Sequence, residues 1–185
     1  MKIYTRKGDD GTTGLFYGGR VLKDSTGPVA YGDVDETGAC LGVARAETEP
    51  GSVLNDELLR IQRTLFVVGA ELATAPENHH KLVDGESRVT AEMVTELERA
   101  IDQIDDEWGT PAVFLVPGGN RLGAALDVAR ATARRAERNA VTHTRRGGYE
   151  ESFVLPYLNR LTDYLFMLAR AAEESWTTSK EETNP

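Results

Sequence analysis

Between Val53 and Leu72 the apolar residues Leu58, Ile61, Leu65, Val68 and Leu72 recur at spacings that alternate between three and four. On an α-helix that rhythm collects all of them on one stripe, whereas a strand would scatter them over both faces, so the segment buries its apolar surface only as a helix packed on other helices. Met93, Leu97, Ile101 and Ile104 fall on one helical face, and Leu158, Leu161, Leu165 and Leu168 repeat the alternation. With these seams as anchors, helices are predicted over residues 28–49, 53–73, 90–106, 120–144 and 150–176. Thr90 and Asn120 are placed to cap the third and fourth, and Pro50-Gly51 stops the first. The polar residues 76–87 read as an exposed loop, residues 145–148 as a turn, and residues 177–185 as a polar tail. Between Gly109 and Gly119 the helical period breaks around the short apolar run Val113-Phe114-Leu115-Val116. No segment alternates with period two. The expectation is an all-α, up-and-down five-helix bundle in a single domain over residues 1–185, preceded by an N-terminal arm over residues 1–24.

That arm, KIYTRKGDDGTTGLFYGGRVLKD, is too rich in glycine and too poor in spaced apolar residues to be a core element. Gly8-Asp9-Asp10-Gly11-Thr12-Thr13-Gly14 offers backbone N–H groups and hydroxyls, flanked by Arg6, Lys7, Arg20 and Lys23. Such a set suits a polyphosphate, with Asp9 or Asp10 able to help hold a divalent cation. It equally suits a solvated arm. The spacing is not that of a P-loop, and no strand-to-helix switch surrounds it.

A formal net charge of −9 argues against general binding to nucleic acid or anionic membrane. No apolar run is long enough to span a bilayer and no signal-peptide core opens the chain, so a soluble, cytoplasmic protein is expected. Cys40 stands alone, which excludes a disulfide framework and a cysteine metal cluster and suits a small buried residue. Glu77-Asn78-His79-His80 has the Glu-x-x-His spacing of di-iron bundles, but it occurs once and beside a proline, so no metal ligands are assigned there. His143 sits where a helix C-terminus would favour its positive charge. No Ser/His/Asp or Cys/His set points to a protein nucleophile.

Charge is concentrated where a bundle has little use for it. Arg130, Arg134, Glu137 and Arg138 fall at i, i+4, i+7 and i+8 of the fourth helix, a row of like charges that needs an anion or an acidic neighbour opposite. Alanines 124, 125, 129, 131, 133 and 136 on the same helix let another backbone or a flat ligand approach. Asn159 and Asp163 interrupt the apolar run of the fifth helix and would need partners if buried. Asp33, Asp35 and Glu36 on the first helix could supply counter-charge to Arg130 or Arg134.

YTRKGDDGTTGL, FLVPGGNRLGAALDVARATARRAER and YLNRLTDYLFMLAR, in that order, resemble the ATP:cob(I)alamin adenosyltransferases of the propanediol-utilisation type, and AYGDVDETGACLGVARA and IQRTLFVVGAELAT match the family's helices. The resemblance implies transfer of the 5′-deoxyadenosyl group of ATP to the cobalt of cob(I)alamin with release of triphosphate. It further implies a homotrimer with sites between subunits, a Mg²⁺ ion, and an arm that orders on the nucleotide. Carried over by position, Thr5, Arg6, Lys7, Gly8, Thr13, Gly14 and Lys23 would wrap ATP, and Arg134, Glu137, Arg138 and Asn159 would complete its site. Arg130 would pair with Asp35 across the subunit boundary, and Phe114 would pack beneath the corrin and displace its lower ligand. A reductase and an adenosylcobalamin-dependent enzyme are implied partners. The chain departs from the family pattern at Thr37-Gly38, Asn120 and Asp127. An ATP-binding regulatory module and a corrinoid escort of the same fold remain as alternatives.

Overall fold

The computed structural model describes residues 2–147, 149, 151–173 and 175–180. Among the described residues five α-helices carry the structure: α1 (Thr26–Ala46), α2 (Val53–Leu72), α3 (Ala91–Trp108), α4 (Arg121–Gly147) and α5 (Val154–Ala171). The helices pack in the order α2–α1–α4–α5–α3, with α4 pressed between α1 and α5. Ala129, Ala133, Ala136 and Ala140 of α4 are fully buried, so its alanine stripe brings helix backbones together and leaves no slot there for a flat ligand. The predicted seams are the core: Leu58, Ile61, Leu65, Val68 and Leu72 on α2 and Leu158, Leu161, Leu165 and Leu168 on α5 are all buried.

The caps follow the sequence. Ser52 Oγ accepts from Asn55 N–H at 3.2 Å, Thr90 Oγ1 from Met93 N–H at 3.4 Å, and Asn120 Oδ1 from Gly123 N–H at 2.7 Å. Other expectations are corrected. The fifth helix is shorter than predicted, running only over Val154–Ala171, because Tyr149 and Ser152 are drawn to the end of α2, where Tyr149 Oη donates to Leu72 O and Ser152 Oγ to Glu71 Oε1. The expected turn over residues 145–148 is instead helical to Gly147; Gly148 lies outside the described residues. Residues 76–87 are more ordered than a loop: Pro76–Lys81 is a 3-10 turn, and Ser87 is buried with its Oγ accepting from Val83 N–H.

Short strands also occur where none was predicted. In the arm, β1 (Thr12–Gly14) pairs antiparallel with β2 (Arg20–Leu22). Near the end, β4 (Thr177–Thr178) pairs with β3 (Leu115–Val116), so the first residues of the expected polar tail belong to a sheet; residues 181–185 lie outside the described residues. Strands this short carry no readable alternation and exist only because distant segments meet. No helix of the described residues is long and apolar enough to cross a membrane.

Candidate active site

The arginine row forms as the helical period requires. Arg134 and Arg138 are exposed on α4, with Arg138 Nη1 donating to the Arg134 carbonyl at 2.9 Å. Arg134 borders two clefts. One, of about 450 Å³, is lined by Arg130, Arg134, Arg160, Asp163 and Phe166 among others, and the second, of about 230 Å³, by Arg134, Glu137, Arg138 and Val141. Arg134 and Arg138 form no ion pair among the described residues. Asn159 and Asp163 are exposed rather than set in the apolar seam, and Asn159 Nδ2 donates to Glu137 Oε1 at 3.1 Å while its Oδ1 accepts from Arg160. Glu137 and Asn159 are thereby held together at the edge of the row.

The acidic residues of α1 take another partner than the row. Asp33 accepts from Arg135 Nε at 3.1 Å and from Asn139, and Glu36 pairs with Arg135 Nη2. These bonds raise the Arg135 pKa and tie α4 to α1. Asp35, one residue away and pointing off the shared face, is exposed and makes no ion pair among the described residues. It borders an apolar groove of about 840 Å³ between α1 and α2, lined by Phe16, Tyr31, Gly38, Leu65 and Phe66. Phe66 is 76 % exposed there.

The arm is folded on itself and moored through Phe16 and Tyr17. Arg20 donates to Thr12 Oγ1 (2.9 Å from Nε) and to the Lys7 carbonyl, so this cation closes the arm. Asp10 accepts the hydroxyl and the amide of Thr12 at 2.7 and 2.9 Å, and these bonds hold its carboxyl below the usual carboxylate range. Gly11 has φ +82°, a left-handed conformation that strains any side-chain-bearing residue. A Cβ on Gly8 would lie 3.2 Å from Lys23 Nζ, so the bare glycine lets that ammonium close on the loop. Arg6, Lys7 and Lys23 form no ion pair among the described residues. The moorings are Phe16, whose N–H donates to Ala73 O at the end of α2, and Tyr17, whose hydroxyl lies 3.4 Å from Ser87 Oγ. No hydrogen bond or ion pair among the described residues joins the arm to Arg130, Arg134, Arg138 or Asn159.

Phe114 is 88 % exposed, which excludes a core role. Its place is set by backbone: the strand pair that follows it, and Ser179 N–H donating to Phe114 O at 2.8 Å. A phenyl ring left in water on a strand-braced segment is a surface waiting for an apolar face.

A family model described as cobalamin adenosyltransferase matches residues 3–172. The chain belongs to the cobalamin adenosyltransferase family. It is 41 % identical over 173 residues to a corrinoid adenosyltransferase of Mycobacterium leprae, covering 92 % of this chain and 91 % of the relative. A corrinoid adenosyltransferase of Bacillus subtilis is 42 % identical over 173 residues, with 92 % and 86 % covered. Among solved structures, a variant of the PduO-type ATP:corrinoid adenosyltransferase of Lactobacillus reuteri, complexed with cobalamin and ATP, superposes with a TM-score of 0.87 at 32 % identity, over 97 % of this chain and 99 % of that one.

Within this family member, sequence reasoning missed a buried charge cluster beside the row. Arg130 Nε donates to Asp127 Oδ1 at 3.1 Å, and the other Asp127 oxygen accepts from Arg170 Nη2. Arg170 Nη1 lies 3.3 Å from Glu173 Oε2, and Glu173 Oε1 accepts from Gly119 N–H at 3.0 Å. Asp127, Arg170 and Glu173 are all buried. The one legible sign was Arg170 three residues before Glu173 at the end of an apolar seam. Two departures from the family pattern acquire reasons. Asn120 caps α4 and also donates from Nδ2 to Ala172 O, a bond that needs an amide. Thr37 is buried with its hydroxyl on Asp33 O, and the Gly38 carbonyl accepts from Gln62 Nε2 at 2.8 Å under the apolar groove. His143 does not serve its own helix end: its Nδ1 faces Thr26 Oγ1 at 3.0 Å and its Nε2 lies 3.2 Å from Leu72 O, at the end of α2.

Proposed function

We propose that this chain transfers the 5′-deoxyadenosyl group of ATP to the cobalt of cob(I)alamin or a related corrinoid, giving adenosylcobalamin and triphosphate. Reduced cobalt is the nucleophile: its electron pair forms the cobalt–carbon bond to C5′, and the C5′–O bond breaks with its pair leaving on triphosphate. No protein base or nucleophile enters that balance. The work left to the protein is to gather the leaving charge, align C5′ and exclude water.

The observation that carries the reading is Arg134, a guanidinium at the junction of two clefts with no carboxylate partner among the described residues. Arg134 and Arg138 would take the phosphates, with Glu137 and Asn159 fixed beside them by their mutual hydrogen bond. Thr5, Arg6, Lys7, Gly8, Thr13, Gly14 and Lys23 would close over the nucleotide from the arm. Arm and arginine row share no hydrogen bond or ion pair among the described residues of one chain, and the complete site takes the arm of one copy and the row of another. Asp35, unpaired beside the apolar groove, would then meet the terminal nitrogens of Arg130 in the neighbour. Contact between two different faces closes into a ring when its rotation divides a full turn, and a homotrimer is the ring proposed.

Phe114 would cover the lower corrin face, where an apolar ring in place of a ligand favours reduction of Co(II) to Co(I). A Mg²⁺ ion, when bound, would neutralise part of the triphosphate charge. No group of three or more His, Cys, Asp or Glu side chains gathers among the described residues, which fits a Mg²⁺ carried mainly by phosphate oxygens with Asp9 or Asp10 beside it. Work in the cytoplasm, with a reductase supplying Co(I) and an adenosylcobalamin-dependent enzyme receiving the product, completes the proposal.

The test is anaerobic incubation of the full chain with ATP and reduced cobalamin, followed by the alkylcobalamin spectrum. Arg134→Ala should remove a charge-assisted contact worth about 1.5–3 kcal/mol, seen as a kcat/KM for ATP lower by roughly ten- to a hundredfold. Absence of alkylcobalamin with the unaltered chain refutes the activity, and an unimpaired Arg134→Ala refutes the site.

A further inference from the structure

The cluster Arg130–Asp127–Arg170–Glu173 is an alternating row of charges that begins at the surface and ends in the core. Arg130 is the partly exposed member, its side chain 28 % accessible, while Asp127, Arg170 and Glu173 are almost completely enclosed. A buried ion pair is weak evidence for stability, because well-packed apolar residues of the same volume often do as well or better. Arg170 moreover keeps a buried Nε with no hydrogen-bond partner among the described residues, a poor arrangement if stability were its purpose. What the row achieves is geometric. Asp127 takes Arg130 by Nε alone, at 3.1 Å, so both terminal nitrogens of Arg130 remain for the cleft it lines with Arg134. The Phe166 ring lies beneath both guanidinium groups, with centroid distances of 5.9 Å to Arg130 and 5.5 Å to Arg170, and limits their rotation. At the far end Glu173 holds Gly119 N–H, in the turn that follows the β3 strand and its neighbour Phe114.

We infer that Asp127 is a positioning residue for the reaction, orienting Arg130 for its pairing with Asp35 of a neighbouring copy and itself held in place through Arg170 by Glu173. A carboxylate anchored on one side by a buried guanidinium cannot swing to follow Arg130, so Arg130 is fixed before any ligand arrives. The inference rests on the assignment of Arg130 to the active site, and it extends that assignment to three buried residues behind it.

The experiment is a double-mutant cycle on the full chain, with kcat/KM for ATP and thermal stability read in parallel. Arg130→Ala alone should lower kcat/KM. Asp127→Asn, which keeps an acceptor oxygen but loses the charge, should lower it by about tenfold. In the Arg130→Ala background, Asp127→Asn should change kcat/KM by less than about twofold, because its effect passes through a side chain no longer present. Its effect on melting temperature should persist in both backgrounds. Should Asp127→Asn fail to fold, Glu173→Gln, which still accepts from Gly119, takes its place and should show a smaller loss with the same dependence on Arg130. Kinetic losses that multiply independently, or an Asp127→Asn enzyme with full kcat/KM, overturn the positioning role alone. If Arg130→Ala itself is fully active, the assignment of Arg130 falls and the inference falls with it.

Discussion

Replacing Gly123 by alanine sets two effects of opposite sign against each other at one position. Gly123 lies in the first turns of α4, and alanine is favoured over glycine inside a helix by about 1 kcal/mol. Propensity alone therefore predicts a more stable protein. The tertiary structure predicts the reverse, since a Cβ at that position would sit 2.7 Å from Glu173 Oε1 and 2.8 Å from Glu173 Cγ. A flexible surface glutamate would swing aside. Glu173 is buried, accepts from Gly119 N–H at 3.0 Å and faces Arg170 Nη1 at 3.3 Å, so displacement breaks both contacts. Overpacking costs about 1–3 kcal/mol, and loss of a hydrogen bond to a buried charge about 1.5–3 kcal/mol. After the helix gain is subtracted, Gly123→Ala should destabilise by about 1.5–5 kcal/mol. For a chain of this length that lowers the melting temperature by about 3–20 °C. The assay is calorimetric melting, and the control is the same substitution in a Glu173→Ala background. There the clash is gone, and Gly123→Ala should raise the melting temperature by about 2–4 °C over Glu173→Ala alone. A single Gly123→Ala variant that melts higher than the unaltered chain refutes the close approach of Glu173 to α4.

Phe114→Ala removes a ring that is 88 % exposed, so stability should change by no more than about 0.5 kcal/mol, while turnover starting from Co(II) falls and turnover from preformed Co(I) falls less; equal losses in both assays, with a lower melting temperature, would remove the corrinoid role. His143 should make stability depend on pH, because burial, with His79 nearby, lowers its pKa below the ordinary histidine value, its hydrogen bond to Leu72 O only partly opposing this. The unfolded chain then binds the proton more readily, so the contribution is complete above about pH 6.5 and is lost as pH falls through the lower folded pKa. Melting temperature should thus drop as pH falls below about 6.5, and His143→Gln should flatten that slope; an unchanged slope counts against it. Hydrogen exchange over residues 5–24 should slow when Mg-ATP is added, as expected of an arm with little buried surface of its own, and equal exchange with and without nucleotide would exclude a closing arm.

The paired charges explain why a row of arginines survives on a chain of net charge −9. Arg135 is absorbed by Asp33 and Glu36, and Arg130 is held through one nitrogen by Asp127. Arg134 and Arg138 are left to face the clefts. A helix face carrying these cations is stable without a ligand because carboxylates neutralise it on its flanks, through Asp33, Glu36 and Asp127, and within the clefts, where Glu137 and Asp163 stand beside Arg134.

Helix existence and the choice of buried face were determined by sequence alone, because the contacts responsible lie within four residues of one another. Leu58 to Leu72 and Leu158 to Leu168 could bury a common stripe only as helices, and Thr90 and Asn120 could satisfy N–H groups only at helix starts. The arginine row was legible for the same reason, since Arg130, Arg134 and Arg138 are one turn apart whatever surrounds them. Which carboxylate each cation meets was decided by tertiary structure. The choice of Asp33 and Glu36 for Arg135 depends on the rotation of α1 against α4, and Glu173 reaches Gly119 and Gly123 only because α5 ends beside the start of α4. The β3–β4 pair that braces Phe114 joins segments some sixty residues apart, and neither half has a local pattern from which the other could be inferred.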